Sequence, residues 1–162
     1  MQLVAKLDKD GNVLRRSKEL SVTKIKIRHG NDFRLEVICD LPPSGDGEVK
    51  IMRTIYKEKP RLEFDKALDI ILQFAIARSG LNPESWAIGK ITEITLKYTE
   101  EGTNATIIAS LPIDAETKAF IKLTETEISY ELKSKIDNLV AETEDYISGL
   151  RAQLSLFEGE QP

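Results

Sequence analysis

The strongest constraint on the fold of this chain is a pair of alternating segments, 20–28 and 33–41, separated by only four residues. In the second segment the apolar residues occupy every other position; they are Phe33, Leu35, Val37, Cys39 and Leu41. Side chains of a β-strand point alternately to its two faces, so this spacing predicts a strand with one buried face. The short connection, which contains Gly30, predicts an antiparallel hairpin.

The same alternation predicts further strands on both sides of one long helical segment. Segment 64–78 carries apolar residues at three- and four-residue steps and is followed by Gly80, a frequent helix stop, so it predicts a helix that is covered on most sides. A final amphipathic helix is predicted from residue 129 or 130 to 149. The additional strands are predicted at 3–7, 13–14, 48–57, 91–98, 105–111 and 119–128.

These elements predict an α+β fold, mainly antiparallel sheet, with one buried central helix and a C-terminal amphipathic helix. The strands fit either one sheet or two similar sheet units that face each other. We expect residues 1–128 to form the antiparallel α+β domain and residues 129–150 a helix that packs on it or forms a dimer interface. Residues 151–162 are expected to be a flexible tail. A chain of 162 residues with 41% hydrophobic residues can form one stable core.

The cellular compartment is suggested by what the sequence lacks. Cys39 is the single cysteine, so an intrachain disulfide is excluded and a reducing cytoplasm is the expected environment. The chain has no leader-like N-terminal pattern and no apolar run of the roughly 20 residues that cross a bilayer. We therefore predict a cytoplasmic protein with no membrane partner.

Charge is distributed unevenly along the chain. Residues 1–61 contain 14 Lys and Arg against 9 Asp and Glu, whereas residues 62–162 contain 9 against 18. The alternation in the N-terminal part predicts a basic sheet face, because cations and a tyrosine are distributed along three neighbouring predicted strands. The residues of this predicted face are Lys24, Lys26, Arg28, Arg34, Lys50, Arg53 and Tyr56. Basic side chains with aromatic rings on a sheet are typical of platforms for single-stranded nucleic acid, although an ordinary solvated face has the same composition.

The sequence does not indicate catalysis. His29 is the only histidine, and there is no nucleophile elbow, phosphate-binding glycine-rich loop or histidine-rich metal set. Asp8 and Asp10 have the spacing of calcium ligands, but Val13 occupies the position where a calcium loop needs glycine. We predict no enzyme activity, no cofactor and no metal site.

The C-terminal segment contains the most specific motif in the chain. The pentapeptide consists of Gln153, Leu154, Ser155, Leu156 and Phe157. It resembles the peptide by which bacterial replication and repair proteins dock on the DNA polymerase sliding clamp, and it matches that pattern at all five positions. The resemblance implies that the glutamine binds at the rim of a pocket while the last leucine and the phenylalanine enter a hydrophobic cleft. The alternative is that these apolar side chains cover the preceding helix or pair with a second chain.

A second resemblance precedes the motif. Its residues are similar to the ends of uncharacterised phage early-region proteins, and they are Glu144, Tyr146, Ile147, Gly149, Arg151, Ala152 and Gln153. Together the two resemblances imply a phage or mobile-element accessory protein of DNA replication, recombination or repair, acting in the host bacterial cytoplasm. The alternatives are a module that binds single-stranded nucleic acid or a nucleotide, and a homo-oligomeric assembly protein. A homodimer is compatible with each of these hypotheses.

Overall fold

The computed structural model describes residues 21–41 and 50–149, together with the backbone of residues 6–7 and 13–14. This part of the chain has the predicted α+β fold. Its elements in chain order are β1 (Lys6–Leu7), β2 (Val13–Leu14), β3 (Ser21–Arg28), β4 (Arg34–Asp40), β5 (Ile51–Tyr56), α1 (Leu62–Arg78), β6 (Lys90–Thr99), β7 (Gly102–Pro112), β8 (Lys118–Glu125) and α2 (Tyr130–Ile147).

Strands β3 to β8 form one antiparallel sheet in the order β5-β4-β3-β6-β7-β8, and β1 pairs with β2 in a separate two-stranded ladder. Alternate residues of the six strands join the apolar sides of both helices in a single core. The largest fully buried side chains are Ile25, Leu35, Phe64, Ile71, Ile76, Ile91, Ile94, Ile107, Leu111, Leu132, Leu139 and Tyr146. Both helices therefore cover the same face of the sheet, and within the described residues the opposite face carries no helix.

The sheet consists of two units with the same order of elements. The first unit is β3-β4-β5-α1 and the second is β6-β7-β8-α2. They join through β3 and β6, where Ile25 pairs with Ile94, and the neighbouring pairs are arranged symmetrically about this position. The structure therefore contains two similar units, one of the arrangements that the sequence suggested, but the units do not face each other. The units lie edge to edge because β3 and β6 complete each other's backbone hydrogen bonding.

The likeness of the units extends to their sequences. Val22–Arg28 reads VTKIKIR, and its counterpart 91–97 reads ITEITLK. Both strands have a β-bulge at the same place, after Val22 in β3 and after Ile91 in β6. Each helix is also followed by Ser-Gly-Leu in the sequence, and the glycines, Gly80 and Gly149, have φ angles of 83° and 106°. A side chain at such a φ is strained, so glycine suits both helix ends. We infer that the two units are an internal repeat.

The helices are antiparallel and are tied together at one end by Arg61. This residue precedes α1, and its guanidinium donates hydrogen bonds to both carboxylate oxygens of Glu142, each at 3.0 Å, and to Asp145 at 3.2 Å. Next to this cluster the Tyr146 hydroxyl donates to the Glu58 carbonyl, and the Tyr146 ring meets the Tyr56 ring edge-on, with centroids 4.9 Å apart. The Arg61 cluster thus connects the second helix to the first unit.

Replacement of Arg61 by methionine should lower the free energy of unfolding by about 1–2 kcal/mol. The change removes a bidentate ion pair and leaves two largely buried carboxylates without their guanidinium, and the partial exposure of Arg61 keeps the loss below that of a fully buried pair. Chemical denaturation measures the difference. Lys133→Met is the matched control, since Lys133 forms an exposed pair with Asp137 on α2 and its loss should change stability much less. Equal losses in the two variants would contradict the structural role of Arg61.

Candidate nucleic-acid interface

The helix-free face of the sheet is formed by the residues that alternate with the core positions. On β4, for example, Leu35, Val37 and Cys39 are buried, so the residues between them point to the other side. Burial raises the pKa of the Cys39 thiol to about 11, as expected for a side chain beneath the helices. Strand β4 therefore has one buried face and one solvent-exposed face, as the sequence predicted.

Cations outnumber carboxylates on the helix-free face. The cations supplied by its strands are Lys24, Lys26, Arg28, Arg34, Arg53, Lys97, Lys118 and Lys122. The carboxylates supplied by the same strands to this face are Glu36, Asp40 and Glu93. The whole chain carries a net charge of −4, so this face has the opposite sign from the molecule as a whole. A face of this kind attracts polyanions, and the attraction is screened by salt.

A shallow depression of about 440 Å³ lies on this face, over the first unit and its junction with the second. Its floor and walls include both polar groups and aliphatic side chains, and its lining residues are Lys26, Ile27, Arg28, Arg34, Glu36, Arg53, Ile55, Thr92, Glu93 and Ile108. The four cations among them converge from three adjacent strands. A phosphate group placed here would be within reach of several donors, since guanidinium and ammonium groups are the usual phosphate partners in proteins.

Each carboxylate in the depression is paired with a cation. Glu36 accepts a hydrogen bond from Arg53, and this bond is the main cause of the lowered pKa of Glu36. Glu93 lies 3.7 Å from the Lys26 ammonium. When no ligand is present, the two carboxylates hold the Arg53 and Lys26 side chains on the face, because opposite charges within about 4 Å of each other attract. They also compete with a phosphate for the same donors.

Asp32, in the β3–β4 turn, pairs with two of the arginines that line the depression. Asp32 lies 3.2 Å from a guanidinium nitrogen of Arg28 and 3.7 Å from one of Arg34, and these two arginines occupy paired positions on adjacent strands. Two like charges directly opposite each other repel, and the shared carboxylate reduces that repulsion. All three side chains are largely exposed, so the guanidinium groups remain accessible to a ligand.

Five of the seven residues predicted for the basic face share the helix-free face: Lys24, Lys26, Arg28, Arg34 and Arg53. The placement of the other two was wrong. Tyr56 lies on the helix-covered side, where its ring contacts Tyr146. Lys50 precedes β5, two positions before Met52 and six before Tyr56. Strand alternation therefore puts its side chain on the same side of the sheet as theirs, away from Arg53. Successive side chains of a strand alternate between its faces, so Tyr56, three residues from Arg53 on β5, cannot share the face of Arg53.

The prediction missed residues contributed by the second unit. Phe120 and Lys122 alternate with the inward residues Ala119, Ile121 and Leu123 of β8, so both belong to the helix-free face. Lys97 occupies the equivalent side of β6. The alternation around Phe120 was visible in the sequence, but only the strand order brings β8 into the same sheet as β3 and β4.

A second depression, of about 280 Å³, lies near the start of α1 on another part of the surface. His29, Lys59, Asp65, Asp69 and Lys90 are among its lining residues. The His29 ring is hydrogen-bonded to the Ile91 carbonyl oxygen at 2.6 Å, so this nitrogen acts as the donor. Burial is the main cause of the raised pKa of Asp65, and the neighbouring Asp69 adds to it. Within residues 21–41 and 50–149 no group of three or more His, Cys, Asp and Glu side chains is arranged to bind a metal.

The predicted clamp-binding residues, Gln153 to Phe157, lie outside the described residues. So do the Asp8–Asn12 turn and most of the loop between β4 and β5. In the described part of the chain no helix is both long enough and apolar enough to span a bilayer.

The fold and the site together define an α+β domain built from two βββα units with a cationic sheet face. No protein-family model, curated protein or solved structure matches this chain.

Proposed function

We propose that this chain is a non-enzymatic accessory protein of DNA metabolism that binds single-stranded nucleic acid on the helix-free face of its sheet. The observation that supports the proposal is the convergence of Lys26, Arg28, Arg34 and Arg53 in one depression on a protein that is acidic overall. Phosphates bind such donors by releasing counterions, and this electrostatic term supplies most of the affinity of sequence-independent binding. A sheet face suits a single strand because its bases are free to lie against the surface.

The first test is a titration of the full chain onto a labelled oligo-dT of about 20 nucleotides, which is longer than the roughly 4–16 nucleotides that one small binding domain occupies. Fluorescence anisotropy gives the affinity at several salt concentrations. If five cations each contact a phosphate, the logarithm of the binding constant should fall against the logarithm of salt concentration with a slope of roughly −3.5. Absence of binding at low salt, or binding that does not depend on salt, would exclude the proposed interface.

We also propose that the C-terminal pentapeptide docks the protein on a bacterial sliding clamp. The support for this proposal is the sequence motif itself, in which Leu156 and Phe157 supply adjacent apolar anchors after a polar Gln153. Short peptides of this kind bind through a few buried side chains, and aromatic anchors contribute most of the energy. In this arrangement the clamp holds the protein on duplex DNA while the sheet face engages nearby single strand. The phage or mobile-element origin implied by the C-terminal resemblance accords with this role.

Truncation of either anchor should abolish clamp binding. A peptide of residues 148–162 is expected to bind a purified bacterial clamp with micromolar affinity, and Leu156→Ala and Phe157→Ala peptides should each bind at least about 10-fold more weakly, because each loses a buried anchor side chain. Isothermal titration calorimetry measures both. Ser155→Ala is the matched control within the motif and should retain most of the affinity, since it removes only a small polar group. If the unmodified peptide does not bind, the clamp proposal is wrong.

A homo-oligomeric assembly role is the remaining alternative from the sequence. The apolar side of α2 is buried within the chain, where Leu132, Ile136 and Leu139 join the core. The helix therefore has an intramolecular partner. Dimerisation stays a prediction, which sedimentation of the full chain and of a chain ending at residue 150 would test.

A further inference from the structure

Phe120 is an exposed aromatic ring on the helix-free face. Its side chain is 64% exposed, and its cross-strand neighbour on β7 is Ser110. Several other rings in the described part of the chain are packed or hydrogen-bonded: Phe64 and Tyr146 are in the core, and the Tyr98 hydroxyl donates to the Val22 carbonyl at 2.8 Å. Tyr130 is also exposed, but it lies at the start of α2 and off the sheet face. A phenylalanine left in water forgoes the stabilisation of burial, and this ring is presented on a face that is otherwise rich in cations and hydroxyl groups.

The strand pairing relates this ring to the cations of the first unit. Lys122 lies two residues after Phe120 on the same face, and the row Lys122, Ile108, Glu93, Lys26 crosses from β8 to β3 through paired positions. Adjacent strands are separated by about 4.8 Å, so β8 lies roughly 14 Å from β3 across the face. A strand of a few nucleotides spans such a distance. Phe120 is therefore placed where a base would lie if the neighbouring phosphates occupied the depression.

Comparison of the two units shows how their faces differ. Equivalent positions follow from the register about the Ile25–Ile94 pair, and they match Lys26 with Thr95, Arg53 with Lys122, and Ile51 with Phe120. The outward residues of the second unit include a row of paired threonines, Thr95, Thr106 and Thr124. The first unit thus has the greater share of the cations, and the second has the exposed ring and the hydroxyl groups.

On this basis we propose that Phe120 is a base-stacking residue for a single-stranded polynucleotide that crosses the sheet from the first unit to the second. The inference rests on the proposed nucleic-acid function and assigns separate tasks to the two units. Cations of the first unit bind phosphates, and the ring on β8 stacks on an unpaired base. Every base has a flat π-face, so this contact needs no particular sequence. The row of threonines lies on the same face, beyond Lys122, and offers hydroxyl groups to the sugar and base edges.

Replacement of Phe120 by alanine tests the stacking role. We expect the affinity for oligo-dT to fall roughly 5- to 150-fold, the range for loss of one base–aromatic stack, with the slope of affinity against salt unchanged because no charge is removed. Tyr130→Ala is the matched control, since Tyr130 is 87% exposed at the start of α2 and lies off the sheet face. That variant should bind like the unaltered protein. Thermal unfolding of both variants checks that the fold is retained.

An abasic oligonucleotide separates the two parts of the proposal. It keeps the phosphates and lacks the bases, so the unaltered protein should bind it about as weakly as the Phe120→Ala variant binds oligo-dT, and the variant should lose no further affinity. If the unaltered protein binds oligo-dT with the expected salt dependence but Phe120→Ala has the same affinity, the stacking role is wrong and the cationic interface stands. If neither protein binds any oligonucleotide, the proposed function itself fails.

A fluorescence measurement provides an independent readout. In a Trp86→Phe background, Phe120→Trp places the only tryptophan on the sheet face. Stacking on a base should quench its emission when oligo-dT is added, and the abasic strand should leave the emission nearly unchanged. Quenching of equal size with both strands would overturn the stacking role. Parallel titrations with oligo-dU and oligo-U, which differ only in the sugar, identify the sugar that the site prefers, because a 2′-hydroxyl contact favours RNA.

Discussion

Replacement of Lys24, Lys26 and Arg53 together by glutamine is expected to weaken binding of single-stranded DNA by roughly 10²- to 10³-fold at about 50 mM salt. Each phosphate contact to a single strand contributes about 0.7 to the slope of log affinity against log salt concentration, which amounts to nearly one factor of ten at this salt concentration. Loss of three contacts should therefore also reduce the magnitude of the slope by about 2. Anisotropy titrations between low and physiological salt measure both quantities.

A second triple variant controls for net charge. Lys66→Gln, Lys133→Gln and Lys135→Gln remove the same three charges from the helices on the other side of the molecule. This variant should lose little affinity, because the removed charges lie beyond the range at which salt leaves exposed charges effective. Equal losses in the two variants would show that binding follows overall charge, and the assignment of the interface to the helix-free face would then be wrong.

The paired carboxylates predict a change in the opposite direction. Glu36→Gln and Glu93→Gln remove the groups that compete with a phosphate for Arg53 and Lys26, so the double variant should bind more tightly than the unaltered protein. A ligand that bound elsewhere would be insensitive to these neutral replacements. Removal of cations should weaken binding and removal of carboxylates should strengthen it, so the two sets of variants together locate the site.

Replacement of Ile94 by alanine should lower the free energy of unfolding by about 2–5 kcal/mol. Ile94 is 1% exposed and pairs with Ile25 at the junction of the two units, so a cavity there lies where the halves of the sheet meet. Domains of this size are commonly stable by roughly 5–15 kcal/mol, so the loss is a large share of the total. Urea denaturation followed by circular dichroism gives the midpoint and the slope.

The control for this variant is Ile55→Ala on the opposite face. Ile55 is 48% exposed, and its truncation should cost less than about 1 kcal/mol because about half of its surface is already in water. Ile25→Ala should resemble Ile94→Ala, since the two residues occupy equivalent positions in the repeat. If Ile94→Ala cost no more than Ile55→Ala, the assignment of the two sheet faces would be incorrect.

How well a feature could be predicted depends on how far apart in the sequence its interacting residues lie. Alternation within β4 and helical spacing within α1 report contacts made by neighbouring residues, and both elements lie where they were predicted, with α1 starting two residues earlier at Leu62. The repeat was also present in the sequence, in the matching segments that begin at Val22 and Ile91. The match between these two segments is hard to find in the sequence, because few positions are identical. It becomes clear only when the strand pairing shows which residues are equivalent.

The sequence by itself determined the secondary structure, the α+β class and the division of β3 and β4 into an apolar and a cationic side. Those properties follow from local periodicity, which each strand or helix carries independently. The tertiary structure decided that the units share one sheet and that Phe120 lies on the same face as Lys26. These facts depend on which strand edges meet, and strand pairing between distant segments leaves almost no trace in the pattern of any one segment.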